Sequence, residues 1–242
     1  VYYLDMHILL VAFAASVATF IGGMFAIRFR DQLHLILGFS AGAVAGVALF
    51  DLLPEAIELG TKYHQASTVS LFIALGLFGY LILDRLILLH THDEDEDVSV
   101  PRGAFGALTL SAHSFVDGVA IGVGFQASAA VGALVTAAVL THDFSDGINT
   151  VNLILRNGGS WRHAIRWLFI DALAPLLGAA STLFFNIPAS YMGLMLALFA
   201  GSFLYLSASD LIPESHHRHP RALTTIMTLL GALLLYSVVH LV

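Results

Sequence analysis

Long apolar runs separated by short polar breaks make up almost the whole chain. A membrane-spanning helix needs roughly 20 mostly apolar residues. Eight runs meet that length: Met6–Ile27, Leu33–Leu53, Thr68–Leu89, Ala104–Phe125, Ser128–Leu155, Ala164–Phe185, Ser190–Ile212 and Arg221–Leu241. The first is too long for a typical signal-peptide core, so it reads as a span. The longest connection is the polar stretch His90–Gly103, which leaves no room for a soluble domain. The predicted fold class is all-α: a polytopic membrane protein of eight transmembrane helices, a single membrane domain over residues 1–242.

Composition agrees. Of 242 residues, 58% are hydrophobic and 11% charged, against about 45–50% and about 25% in ordinary soluble domains. Mean hydropathy is +0.85. A soluble enzyme of this size could not hide so much apolar surface. A formal net charge of −7 disfavours nucleic acid as a partner. With no cysteine there is no disulfide, thiolate metal site or thiol nucleophile.

The cations predict orientation. Arg28 and Arg30 lie in the first connection, Arg85 and Arg102 flank the third, Arg156, Arg162 and Arg166 lie in or near the fifth, and Arg218 and Arg221 lie in the seventh. Only Lys62 lies in an even connection, the second. The odd connections are therefore expected in the cytoplasm and both termini outside, in the plasma or inner membrane.

Charges within the spans carry the chemistry. The fourth span holds His113, Ser114 and Asp117; the fifth holds His142, Asp143 and Asp146, with Asn149 beyond; the sixth holds Asp171, one turn before Pro175. His113 and Asp117 are four apart, as are His142 and Asp146, so each pair projects from one helix face. The segments His113-Ser-Phe-Val-Asp-Gly118 and His142-Asp-Phe-Ser-Asp-Gly147 repeat one pattern and suggest two facing half-sites. Four acids at the midplane would together cost on the order of 10 kcal/mol on insertion scales. No Lys or Arg lies at that depth, so the countercharge is a proton or a metal cation. Imidazoles with carboxylates suit Zn²⁺, Fe²⁺ or a similar divalent ion better than calcium. Simple polar contacts between helices explain one such residue more readily than two repeated pairs.

A second repeat lies at span ends. Asp51-Leu-Leu-Pro-Glu-Ala closes the second span and Asp210-Leu-Ile-Pro-Glu-Ser the seventh. In the expected topology they face opposite sides. That is the pattern of an inverted repeat: three spans (residues 1–90), a cytoplasmic loop (91–103), a central pair (104–155) and three more spans (161–242). Asp51 and Asp210 are then candidates for cation capture outside and release inside; helix termination ahead of proline is the plain alternative. Gly38, Gly42 and Gly46, like Gly118 and Gly122, have the spacing of close helix packing. His90 and His92 in the acidic loop, and His216, His217 and His219 after the seventh span, are candidates for weak metal binding.

These motifs resemble the ZIP (Zrt-, Irt-like protein) family of divalent metal transporters. Its members carry His-Asn-x-Pro-Glu-Gly on the fourth span and often His-x-x-Pro-Glu-Gly on the fifth. The chain departs by Ser114 for Asn, by Val116 and Ser145 for the prolines, and by Asp117 and Asp146 for the glutamates. Ala174 stands where some bacterial members have a Glu that bridges two metals, and the acid is Asp171 instead. The resemblance implies uptake of Zn²⁺, or Fe²⁺, Mn²⁺ or Cd²⁺, into the cytoplasm as substrate, and a homodimer in the lipid bilayer. Ligands would be His113, Ser114, Asp117, His142, Asp143, Asp146 and Asp171, at one well-formed site with a second open. The rival readings are a membrane-embedded zinc-dependent hydrolase, which lacks a His-Glu-x-x-His motif here, and a proton-coupled antiporter, which leaves the histidines unexplained.

Overall fold

The computed structural model describes residues 2–25, 33–89, 100–217 and 222–241. Among the described residues the chain is helical, without strands. The rods in order are α1 (Tyr2–Phe25), α2 (residues 33–61), α3 (Ala66–Leu89), α4 (Val100–Ala127), α5 (Ala129–Arg156), α6 (Trp161–Ser181), α7 (residues 189–217) and α8 (Ala222–Leu241). Each predicted run overlaps one of them. Six, namely α1, α2, α4, α6, α7 and α8, are long and apolar enough to cross a membrane, and α3 offers a shorter apolar segment, Ala66–Ile82. The helix outside that set, α5, is diluted by His142, Asp143, Asp146 and Asn149.

Several rods overrun the predicted spans. Both α4 and α5 have 28 residues, about 42 Å at 1.5 Å per residue, beyond the roughly 30 Å of hydrocarbon. Polarity marks the edge of the bilayer, whereas helices stop at caps. Gly158 ends α5 with φ of 76°, a conformation that side chains other than glycine rarely adopt. Ser160 starts α6, its side chain accepting from the His163 N–H at 3.3 Å.

The prolines correct a boundary. Ends were expected at Leu53 and Ile212, but α2 runs on to Thr61 and α7 to His217. In each, the chain widens just before the proline into a π-helical segment, Ala48–Leu52 in α2 and Leu206–Leu211 in α7. A proline in a regular α-helix lacks its donor and clashes with the carbonyl four residues back. The wider turn shifts the hydrogen-bond register, so Pro54 opens a new α segment, where a missing N–H is tolerated.

The chain clusters into two compact units, one of Val1–Arg30, Leu83–Gly122 and Asp143–Phe185, the other of Asp31–Ile82, Val123–His142 and Asn186–Val242. Glycines set the helix crossings within each. In the first, α1 packs along α6. Gly22 lies against the Phe144 carbonyl and Gly147 against that of Thr19, joining α1 and α5. Gly118 lies against the Pro175 carbonyl and Gly178 against that of Phe115, joining α4 and α6. In the second unit, Gly42 meets the Thr228 carbonyl and Gly231 that of Phe39, joining α2 and α8. Gly76 meets the Leu198 carbonyl and Gly201 that of Ile73, joining α3 and α7. A Cβ at any of these eight positions would collide with backbone, so small residues are required there.

The crossings come in matched pairs. The offset that relates His113 to His142 also relates Gly118 to Gly147 and Phe115 to Phe144. The offset that relates Asp51 to Asp210 also relates Gly42 to Gly201 and Phe39 to Leu198.

Candidate metal centre

A tight reversal brings the two repeated turns together. Ser128 is the only non-helical residue between α4 and α5. Its Oγ accepts from the Val131 N–H at 3.1 Å. Gly124 and Gly132 lie against each other, which folds the second arm back along the first. His113 stands 15 residues before Ser128 and His142 14 after it. Arms of nearly equal length return to nearly equal height, because each residue of an α-helix adds the same rise.

One donor atom from each of His113, Asp117, His142 and Asp146 lies within 4.8 Å of the others. Their exposures are 5%, 1%, 0% and 5%. His113 Nε2 lies 3.1 Å from Asp117 Oδ2 and 3.9 Å from Asp146 Oδ2. Ligands bound at about 2.1 Å in a tetrahedron are separated by about 3.4 Å, so these distances bracket the edges of a four-ligand zinc shell. Two neutral imidazoles and two carboxylates carry the charge that balances one divalent cation. The donors are deep in an apolar bundle, where carboxylates without a countercharge are costly.

Local geometry sets the chemistry of His142. Its Nδ1 donates to the Ala138 carbonyl one turn back, at 2.9 Å. That bond fixes the proton on Nδ1 and leaves the lone pair on Nε2, the tautomer that a metal requires. The Phe203 ring stands edge-on to the imidazole, with centroids 6.3 Å apart.

The other candidates fall into different places. Asp143 is fully buried beside His142 on the same helix. Asp171, also fully buried, has both carboxylate oxygens occupied: Ser114 Oγ donates to Oδ1 at 2.8 Å and Thr150 Oγ1 donates to Oδ2 at 2.7 Å. Ser114 Oγ also lies 3.1 Å from the Leu110 carbonyl. Ser114 and Asp171 thus engage each other, joining α4, α5 and α6 through Thr150. Sequence reasoning did not single out Thr150. Its place one turn after Asp146 was visible, but its partner on α6 is far away in sequence. Asn149 is half-buried on α5. Asp51 sits on the π-helical turn of α2, half-buried, with Oδ2 out of contact with solvent and without a hydrogen-bond partner among the described residues. Asp210 lies on the corresponding turn of α7. His216 and His217 end α7; His90, His92 and His219 lie outside the described residues.

Comparison with known proteins converges on the same chemistry. Residues 90–238 match the family described as ZIP Zinc transporter. The chain is 30% identical over 227 residues to "Zinc transporter ZupT" of Enterobacter sp. (strain 638), covering 88% of each. It is 25% identical over 195 residues to "Zinc transporter ZIP13" of Pongo abelii; this takes in 76% of the chain but 58% of that longer protein. It is 23% identical over 216 residues to "Zinc transporter YKE4" of Saccharomyces cerevisiae, covering 76% of the chain and 62% of that protein. The family is one of transporters, which removes the hydrolase reading. The helical fold, the buried His and Asp donors and the match over most of its length make this chain a member of the ZIP zinc transporter family.

Proposed function

We propose that this protein carries Zn²⁺, or a related first-row divalent ion, across the plasma membrane toward the cytoplasm. The buried group of His113, Asp117, His142 and Asp146 carries the reading. A hydrated ion loses its water shell on entering a bilayer, and these four donors replace that shell with nitrogen and oxygen at suitable spacing. The ion is the substrate, so the site holds it briefly. Asp143, next to the group, adds negative charge. Asp171 acts on the site indirectly, because both of its oxygens are engaged by hydroxyls on the two ligand-bearing helices.

Eight spans in a three, two and three inverted repeat, with both termini outside, are part of this proposal. The matched glycine crossings and the paired π-helical turns support it, since each of these crossings and turns in one repeat has a counterpart in the other. In that topology Asp51 attracts the cation outside, and Asp210 with the histidines after α7 receives it inside.

Zinc flux into proteoliposomes tests the site. His142→Ala combined with Asp146→Ala removes two of the four donors and abolishes flux in protein that remains folded. Flux equal to that of the unaltered protein would reject the assignment.

A further inference from the structure

The chain has two tryptophans, Trp161 and Trp167, and both lie at the start of α6. Arg162 and Arg166 lie between them in sequence, one turn apart on one helix face, and both side chains are exposed. The stretch from Gly147 to Ile170 contains Arg156, Arg162, His163 and Arg166 and no acidic residue, in a chain that is acidic as a whole. Among the described residues neither Arg162 nor Arg166 joins an ion pair. Both guanidinium groups are therefore open to a partner of opposite charge.

The surface around them is ordered. The connection from α5 is closed by Gly159 N–H donating to the Ile154 carbonyl at 2.9 Å. Trp167 Nε1 donates to His163 Nε2 at 3.0 Å. This holds the half-buried indole in place and leaves Nδ1 as the protonated nitrogen of a neutral His163. Gly103 lies against Leu153 and Asn157, so the first turn of α4, with Arg102, meets the last turn of α5, with Arg156. Residues Trp161–Phe184 form one of the apolar stretches long enough to cross the bilayer. The arginines and indoles therefore lie where hydrocarbon gives way to headgroups. Indoles prefer that zone, and clustered arginines attract anionic phospholipid there.

We infer that Trp161, Arg162, His163 and Arg166 form a binding surface for the headgroup of an anionic phospholipid, with the guanidinium groups on its phosphate and the indoles at the level of the glycerol backbone. Bidentate phosphate binding suits arginine better than lysine.

The two indoles report on this surface without a label. The full chain is placed in vesicles of phosphatidylcholine mixed with phosphatidylglycerol, with bromine on the acyl chains of one lipid or the other. Brominated phosphatidylglycerol is expected to quench tryptophan emission more strongly than brominated phosphatidylcholine. Each arginine contributes about a fivefold preference. Arg162→Gln with Arg166→Gln therefore lowers the relative association constant about 25-fold, while Arg162→Lys with Arg166→Lys keeps much of it. Equal quenching by the two lipids, or a preference unchanged in the glutamine variant, overturns the inference. So does loss of the preference when inorganic phosphate is added at constant ionic strength, because the surface would then be a site for the free anion.

Discussion

Asp171→Asn separates a ligand from a residue that positions ligands. Asp171 accepts two hydroxyl hydrogen bonds, at 2.8 and 2.7 Å, from helices that carry His113 and His142. In a soluble protein each bond to a charged acceptor would contribute about 1.5–3 kcal/mol. Between membrane helices the measured average is about 0.6 and the maximum about 1.7 kcal/mol, because separated helices in lipid also find partners. The membrane value governs here, so the pair contributes about 1–3 kcal/mol. Asparagine keeps one acceptor oxygen, and its NH₂ can donate to the second hydroxyl, so Asp171→Asn should cost less than about 1 kcal/mol. Asp171→Leu should lose the whole contribution and leave the Thr150 hydroxyl buried without its acceptor. Thermal unfolding in detergent measures both. Zinc titration of the purified variants gives the decisive number. For a residue outside the ligand shell, Asp171→Asn leaves zinc affinity within about tenfold, at the low end of what changes to outer partners cost. A loss far beyond about a hundredfold with unchanged stability would refute the positioning role and make Asp171 a ligand.

Three further outcomes follow from the same geometry. Uptake should fall as the medium is acidified, because a ring nitrogen holds a proton or the metal but not both, so protons compete with the metal for His113 and His142; flux into proteoliposomes that rises steadily on acidification contradicts this. Gly147→Val should abolish folded, monodisperse protein on size exclusion, since its side chain would run into the Thr19 carbonyl, whereas Gly79→Ala meets open space and should be neutral or stabilising by up to about 1 kcal/mol. Pro54→Ala permits α2 to close into a regular α-helix, which rotates the following segment by about 100°; slowed zinc flux with little change in unfolding temperature is expected, and unchanged flux would show that the π-helical turn has no part in transport.

Much of the site was legible in the sequence because its elements are local. The spacing of His113 with Asp117, and of His142 with Asp146, fixes each pair on one helix face whatever the fold. The repetition of the pattern indicated two half-sites. The overall apolarity excluded a soluble fold, and the paired Asp-Leu-x-Pro-Glu motifs marked equivalent positions in α2 and α7. Proline misled where it was read as the end of a helix, since a widened turn satisfies the same steric demand without stopping the rod. The spacing of Gly42 and Gly118 indicated close packing, but not which backbone each would meet.

Hydropathy and helical period depend only on neighbouring residues, so the order of residues alone was enough to specify a helical membrane protein with two metal-capable half-sites. Tertiary structure alone decided that those half-sites meet, through the reversal at Ser128 and the contact of Gly124 with Gly132. It also decided that Asp171 turns to Ser114 and Thr150. Which donors satisfy a buried carboxylate depends on how closely separate helices approach, and that distance is set by packing between residues far apart in the chain.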